Sequence, residues 1–135
     1  MPINRRHYRV QLDEVLVAHD FALTFGGLAG IRDLGTIEAA VARPYCGYYR
    51  TIAKKAAALV HSLASNHGFL DGNKRTALFM LNLLLRRSGY YLRAESPQRK
   101  NADAETMILG LVEHRMNFDD VVAWLERRIA PIGAE

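Results

Sequence analysis

Residues 73–88 decide the fold, and they read NKRTALFMLNLLLRRS. Between Ala77 and Leu85 apolar side chains fall on nearly every side of a 3.6-residue helical repeat. A helix that is apolar all round must be buried all round. We therefore expect this helix to be the central element of the protein, with the other elements packed around it.

Most of the remaining chain also has helical patterns, with apolar residues three and four positions apart. The predicted helices are residues 11–24, a short helix at Thr36–Ala42 capped by Thr36, an alanine-rich helix from Thr51 to about Asn66, and helices at 103–114 and 117–129. With the central helix, the sequence predicts about six helices.

Two segments lack helical character. Residues 44–51, PYCGYYRT, carry three tyrosines around Gly47 and predict an extended flap or hairpin. Gly89 ends the central helix, and residues 90–98 predict a short extended excursion. We expect an all-α fold with a short extended flap, formed by residues 1–135 as a single domain.

The composition is that of an ordered globular protein, since half of the residues are hydrophobic and 24% are charged. A single cysteine, Cys46, excludes an internal disulfide, and no Cys/His spacing resembles a zinc site. Residues 1–14 lack the apolar core of a signal peptide, and the longest apolar stretch, Ala77–Leu85, is too short to span a bilayer. We expect a cytoplasmic location and no membrane partner.

A net charge of +4 favours an anionic partner, which can be nucleic acid, a nucleotide or an acidic protein. A basic helical DNA-binding module would need exposed basic residues on one recognition helix, and the central helix is too apolar for that role. A module that only binds a protein partner is the other non-enzymatic alternative.

The two strongest helices are joined by residues 67–75, HGFLDGNKR, which make poor sense as a mere connection. The start of a helix offers free N–H groups to an anion, and Gly72 lets the backbone approach a phosphate closely. Asn73 can cap the helix or hold a phosphate oxygen. Lys74 and Arg75 oppose the helix dipole by about 0.3 to 1 kcal/mol each, so their presence in the first turn indicates an anionic ligand.

Other residues of this segment have side chains suited to metal binding or proton transfer. Asp71 is suited to hold magnesium beside a phosphate, the alternative being a loop-capping role. His67 can take the proton of an attacking hydroxyl, although a lone histidine at a helix end is more often structural. We expect Phe69 to anchor the loop to the core. The dipeptide His19-Asp20 lacks the further ligands of a metal-dependent HD phosphohydrolase, so we expect both residues to be structural.

The segment HGFLDGNKRTA closely resembles the signature of the Fic/Doc (Fido) superfamily, and especially its death-on-curing (Doc) branch, H-x-F-x-D-[AG]-N-K-R. The similarity extends to HDFALTFGGLAGIRDLG and LLLRRSGYYL, and covers roughly residues 10–128. The resemblance implies an all-helical fold and ATP as substrate. It also implies these roles: His67 as catalytic base, Asp71 as magnesium-associated carboxylate, Gly72 shaping the anion loop, and Asn73, Lys74 and Arg75 as phosphate contacts.

Fic relatives that transfer AMP resemble H-P-F-x-x-G-N-G-R-x-x-R, and this chain departs from that pattern at Gly68, Lys74 and Leu78. A lysine in place of glycine crowds the inner phosphates, and the missing arginine removes one of their ligands. The Doc branch has the same lysine, and it is implied to transfer the γ-phosphate of ATP to a threonine of elongation factor Tu, which stops translation. We therefore expect a kinase-type phosphotransferase, with AMP transfer as the alternative.

The chain has no match to the inhibitory motif [ST]-x-x-x-E-[GN] that some Fic proteins carry. The Doc resemblance implies instead a type II toxin–antitoxin system, in which a separately encoded antitoxin restrains the toxin and supplies any contact with DNA. Tyr45, Tyr48 and Tyr49 of the predicted flap are candidates for docking a target segment by edge pairing.

Overall fold

The computed structural model describes residues 6–94 and 96–133. These residues form six α-helices and two short strands: α1 Leu12–Leu23, α2 Leu34–Ala42, α3 Ile52–Ser65, α4 Asn73–Arg87, β1 Tyr90–Leu92, α5 Lys100–Val112, α6 Phe118–Arg128 and β2 Ile129–Pro131. The predicted all-α fold of about six helices is confirmed. Residues 1–5, 134 and 135 of the predicted single domain and Glu95 of the predicted excursion lie outside the described residues. None of the described helices is long and apolar enough to cross a bilayer.

The core is built around α3 and α4, which pack against each other. The helix α3 is the more enclosed of the two, because every residue from Ala56 to Val60 is buried. In α4, Phe79 and Leu83 are only half-buried. The prediction that α4 is covered on every side is therefore wrong for this face, where Phe79 lies against the exposed Phe21 of α1, with 5.1 Å between the ring centroids.

The helix ends follow local hydrogen bonds. The predicted starts of α3 and α6 are confirmed, since Thr51 and Asn117 accept backbone N–H groups of their own first turns. The predicted cap Thr36 is wrong. Asp33 caps α2, because its Oδ1 accepts the Thr36 N–H at 3.2 Å, and the helix consequently begins at Leu34.

The predicted extended flap at residues 44–51 is wrong. Residues 43–45 form a 3-10 turn, and no strand follows it before α3. The tyrosine hydroxyls hold this segment to its neighbours: Tyr45 accepts from the Val10 N–H and donates to the Tyr8 carbonyl, while Tyr49 accepts from Arg43 Nε. The segment is therefore held by bonds from tyrosine hydroxyls, two of them to backbone 35 and 37 positions away, and not by strand pairing.

The extended excursion predicted at residues 90–98 is confirmed for 90–92, which form the strand β1, and is wrong for its end, where Pro97–Arg99 form a 3-10 helix. The strand β1 pairs antiparallel with β2, so that Tyr91 lies opposite Ala130. The strand β2 was not predicted, because Ile129 and its neighbours continue the apolar pattern of α6. The small sheet ties the end of α4 to the end of α6.

Candidate active site

The loop between α3 and α4 carries the motif and is braced by the loop between α1 and α2. The Gly68 carbonyl accepts two N–H groups, from Arg32 at 2.8 Å and Asp33 at 3.0 Å. Phe69 forms an isolated antiparallel bridge with Ile31. The motif loop therefore has a fixed path although it belongs to no sheet.

Phe69 and Asn73 close the motif loop on itself. Phe69 is 2% exposed, and Asn73 is 9% exposed. The Phe69 N–H donates to Asn73 Oδ1 at 3.1 Å, and Asn73 Nδ2 donates to the Phe69 carbonyl at 3.0 Å. The Asn73 side chain is thus engaged with the loop and does not cap α4, whose N-cap is Gly72. The Asn73 backbone N–H lies in the first turn of α4, where N–H groups have no partner within the helix.

His19 of α1 reaches this loop, a contact that the sequence did not predict. His19 is 4% exposed, and its ring stacks on that of Phe69, with 3.7 Å between the ring centroids and 8° between the planes. His19 Nε2 lies 2.8 Å from the Asp71 carbonyl oxygen. A carbonyl only accepts hydrogen bonds, so Nε2 carries the proton. The sequence signal was a histidine at helical spacing among apolar residues of α1.

Asp71 holds its carboxylate between two backbone N–H groups. The Leu28 N–H donates to Oδ2 at 3.1 Å, and the Gly72 N–H donates to Oδ1 at 2.8 Å. These two bonds, the first above all, lower the pKa of the Asp71 carboxyl below its ordinary value. Asp71 is therefore a charged and directed carboxylate. The described residues contain no cluster of three or more His, Cys, Asp or Glu side chains suited to a metal.

The first turn of α4 presents the basic residues. Gly72 precedes the helix with φ +79°, a left-handed conformation that favours glycine. Lys74 and Arg75 are exposed, and the Arg75 guanidinium carbon lies 4.9 Å from the centroid of the Phe25 ring. This cation–π contact gives Arg75 a support without neutralising its charge.

A cavity of about 500 Å³ opens beside the motif. His67, Asp71, Lys74 and Arg75 line one side of it, and Leu78 continues that wall one helical turn further along α4. His67 is exposed and has φ +53°, which is uncommon for a residue with a side chain. The residues predicted as base, metal ligand and phosphate contacts thus meet around one space of the size that small-molecule ligands occupy.

The opposite wall of the cavity belongs to α5. It consists of Glu105, Ile108, Leu109 and Val112, so it is apolar apart from one carboxylate. The sequence did not predict this wall, because nothing in the local pattern of α5 indicates which helix it covers. None of the described residues lining the cavity is a tyrosine, so the three tyrosines of the predicted flap lie elsewhere.

Comparison with known proteins agrees with this geometry. The model of the Fic/DOC family matches residues 9–85, which include α1, the bracing loop and the whole motif. Toxin Doc of Mycolicibacterium smegmatis is 44% identical over 88 residues, which cover 62% of this chain and 66% of that protein. Protein kinase doc of Escherichia phage P1 is 37% identical over 82 residues, which cover 57% of this chain and 65% of that protein. The chain therefore spans slightly less than two thirds of the length of these curated relatives. From its motif, its fold and these matches, the chain belongs to the Fic/DOC family.

Proposed function

We propose that this protein is the toxin of a type II toxin–antitoxin system, and that it transfers the γ-phosphate of ATP to a serine or threonine hydroxyl of a cytoplasmic protein. The proposed acceptor is a threonine of translation elongation factor Tu, so that transfer would block translation. The names of the two relatives, Toxin Doc and Protein kinase doc, support this reading. A separately encoded antitoxin is the proposed restraint.

The choice of γ-phosphate over AMP rests on one observation. Lys74 and Leu78 lie four residues apart on α4, and both line the cavity. They occupy the positions where AMP-transferring relatives have glycine and arginine. The lysine adds a cation where those relatives keep open space, and the leucine, which is 5% exposed, offers no ligand to an inner phosphate. This wall favours binding the terminal phosphate near Lys74 and Arg75.

The transfer requires few chemical steps from the protein. The acceptor hydroxyl oxygen attacks the γ-phosphorus, the bond to the bridging oxygen breaks, and ADP leaves. His67 takes the hydroxyl proton during this attack. Lys74, Arg75 and the N–H groups at the start of α4 stabilise the charge on the transferred group. No covalent enzyme intermediate is needed.

The site fits a magnesium ion held by one carboxylate. Each Asp71 oxygen accepts one backbone N–H, which leaves a lone pair on both oxygens for a cation. Magnesium in phosphoryl-transfer sites commonly takes one or two carboxylates and completes its shell with phosphate oxygens and water. Asp71 would hold the ion, which when bound neutralises phosphate charge.

A two-label experiment tests the proposal. The purified protein is incubated with cell extract, or with elongation factor Tu, and with ATP labelled on either the α- or the γ-phosphate. We expect label to reach a protein from γ-labelled ATP only, and His67→Ala to abolish it. Label from α-labelled ATP only would establish AMP transfer instead. In cells, expression of the wild type should slow growth and expression of His67→Ala should not.

Substitution of Lys74 tests the observation that carries the proposal. Lys74→Gly is expected to lower γ-label transfer by about tenfold, because the developing charge loses a cation. Lys54→Gly is the matched control, since Lys54 is an exposed lysine in the first turn of α3 and lies away from the cavity. Equal transfer by both variants would remove Lys74 from the site.

A further inference from the structure

We propose that His19 is a positioning residue of this site: by its hydrogen bond to the Asp71 carbonyl and its stack on Phe69, it fixes the peptide between Asp71 and Gly72 and thereby aims the Asp71 carboxylate. This assigns a task to a buried histidine that lies on another helix, 52 positions before Asp71.

The peptide between Asp71 and Gly72 needs such a restraint. Gly72 has no side chain, so rotation of this peptide meets little steric resistance. Asp71 is exposed, so its side chain is not packed into the core. The glycine that allows the sharp entry into α4 therefore also leaves the preceding peptide free to turn.

The geometry of a trans peptide links the His19 bond to the carboxylate. The carbonyl and the N–H of one trans peptide point in opposite directions. Because the Asp71 carbonyl points inward to His19 Nε2, the Gly72 N–H points outward, where it donates to Asp71 Oδ1 at 2.8 Å. Rotation of the peptide would break both bonds together.

His19 is itself held firmly enough to act as a restraint. Its ring lies nearly parallel to that of Phe69, and the Phe69 backbone is fixed by its two bonds with the Asn73 side chain. The ring also lies beside Gly72, since a Cβ added there would be 3.5 Å from His19 Cδ2 and Nε2. The histidine thus contacts the loop on both sides of Asp71.

Two variants separate the hydrogen bond from the stack. His19→Phe keeps an aromatic face on Phe69 and removes the donor, whereas His19→Gln keeps an N–H donor of similar reach and removes the ring. In amide NMR spectra of the full chain without nucleotide, we expect His19→Phe to lose the downfield shift of the Gly72 and Leu28 amide protons that carboxylate bonding gives. His19→Gln should retain it.

Val15→Ala is the control for a general loss of stability, because Val15 is a fully buried residue one turn earlier on α1. At matched melting temperature it should leave both amide signals unchanged. The proposal is overturned if Val15→Ala shifts these signals as His19→Phe does, if His19→Phe leaves them in place, or if His19→Gln behaves like His19→Phe.

The consequence for turnover rests on the proposed phosphotransfer. In the phosphotransfer assay we expect His19→Phe to lower kcat by about tenfold with little change in KM for ATP. His19→Gln should retain most of the wild-type kcat. The NMR measurement needs no reaction. Absence of transfer in the wild type would therefore count against the proposed function alone, and unchanged amide signals against the role of His19 alone.

Discussion

Gly26 and Gly27 are neighbours with nearly the same backbone conformation, but only one of them faces the site. Their φ angles are +110° and +115°, which side chains rarely adopt. A Cβ added to Gly26 would have no atom within 4 Å, whereas one added to Gly27 would lie 2.8 Å from Asp71 Oδ2. Substitution of these two glycines therefore separates the cost of backbone strain from the effect of a contact with Asp71.

Gly26→Ala and Gly27→Ala are both expected to lower the free energy of unfolding by about 1 to 3 kcal/mol, because each forces alanine into a strained conformation. Only Gly27→Ala should also displace Asp71, and so lower phosphate transfer by about tenfold or more. Urea denaturation and the γ-label assay measure the two effects. A similar loss of transfer in Gly26→Ala would show that strain alone accounts for it.

At the scale of elements, the two loops of the site support each other through backbone bonds. The start of α2 is part of this contact, since the Asp33 N–H donates to the Gly68 carbonyl and the Asp33 side chain caps the helix. Asn117 caps α6 in the same way, since its Oδ1 accepts the Asp120 N–H. The two caps differ in what lies next to them.

Asp33→Ala and Asn117→Ala should each lower the free energy of unfolding by about 1 kcal/mol, the usual cost of a lost N-cap. We expect only Asp33→Ala to increase hydrogen exchange at the Arg32 amide, because fraying of α2 loosens the brace on Gly68. Equal exchange at Arg32 in both variants would show that the brace is independent of the α2 cap.

The elements were largely predictable, since the burial of a helix face leaves a periodic pattern in the sequence. The segment 67–75, most of which lines the cavity, could also be singled out, because a cation pair at the start of a helix is unfavourable to the helix dipole. The sequence could not show which distant residues form hydrogen bonds with the motif. The bonds from Leu28 and His19 to Asp71 join positions far apart, and no local pattern records them. The predicted flap was wrong for the same reason. The Tyr45 hydroxyl bonds to backbone that is distant in sequence, and the segment forms no strand pair.

For the molecule as a whole, protonation of two histidines makes the free energy of unfolding depend on pH. His61 Nδ1 accepts from Arg43 Nη1 at 2.9 Å, and His7 Nδ1 accepts from Lys55 Nζ at 2.8 Å. Burial, and then the charge of the neighbouring cation, lowers the pKa of each imidazole. Both are therefore neutral in the folded protein at neutral pH.

Because the folded pKa of His61 lies below its ordinary value, the unfolded chain binds the proton more tightly. The contribution of His61 to the free energy of unfolding is therefore greatest above the ordinary histidine pKa. It decreases as the pH falls through that value towards the lowered pKa of the folded protein. We expect the free energy of unfolding to decrease as the pH falls below about 6.5, the ordinary histidine pKa. His61→Asn, whose Oδ1 can accept from Arg43, should make the decrease shallower. An unchanged slope in urea titrations would exclude His61 as a contributor.

The backbone bonds between the two loops also fix the length that the loop between α1 and α2 must have. Residues 27–33 meet the motif at successive points, with Leu28 bonded to Asp71, Gly30 to Leu70, and Arg32 to Gly68. The two segments run antiparallel, so each bond depends on the number of residues between it and the next. Removing or adding one residue here would put the wrong group opposite Asp71. This exposed loop is consequently a poor place for a tag or an insertion, even though its surface position suggests tolerance.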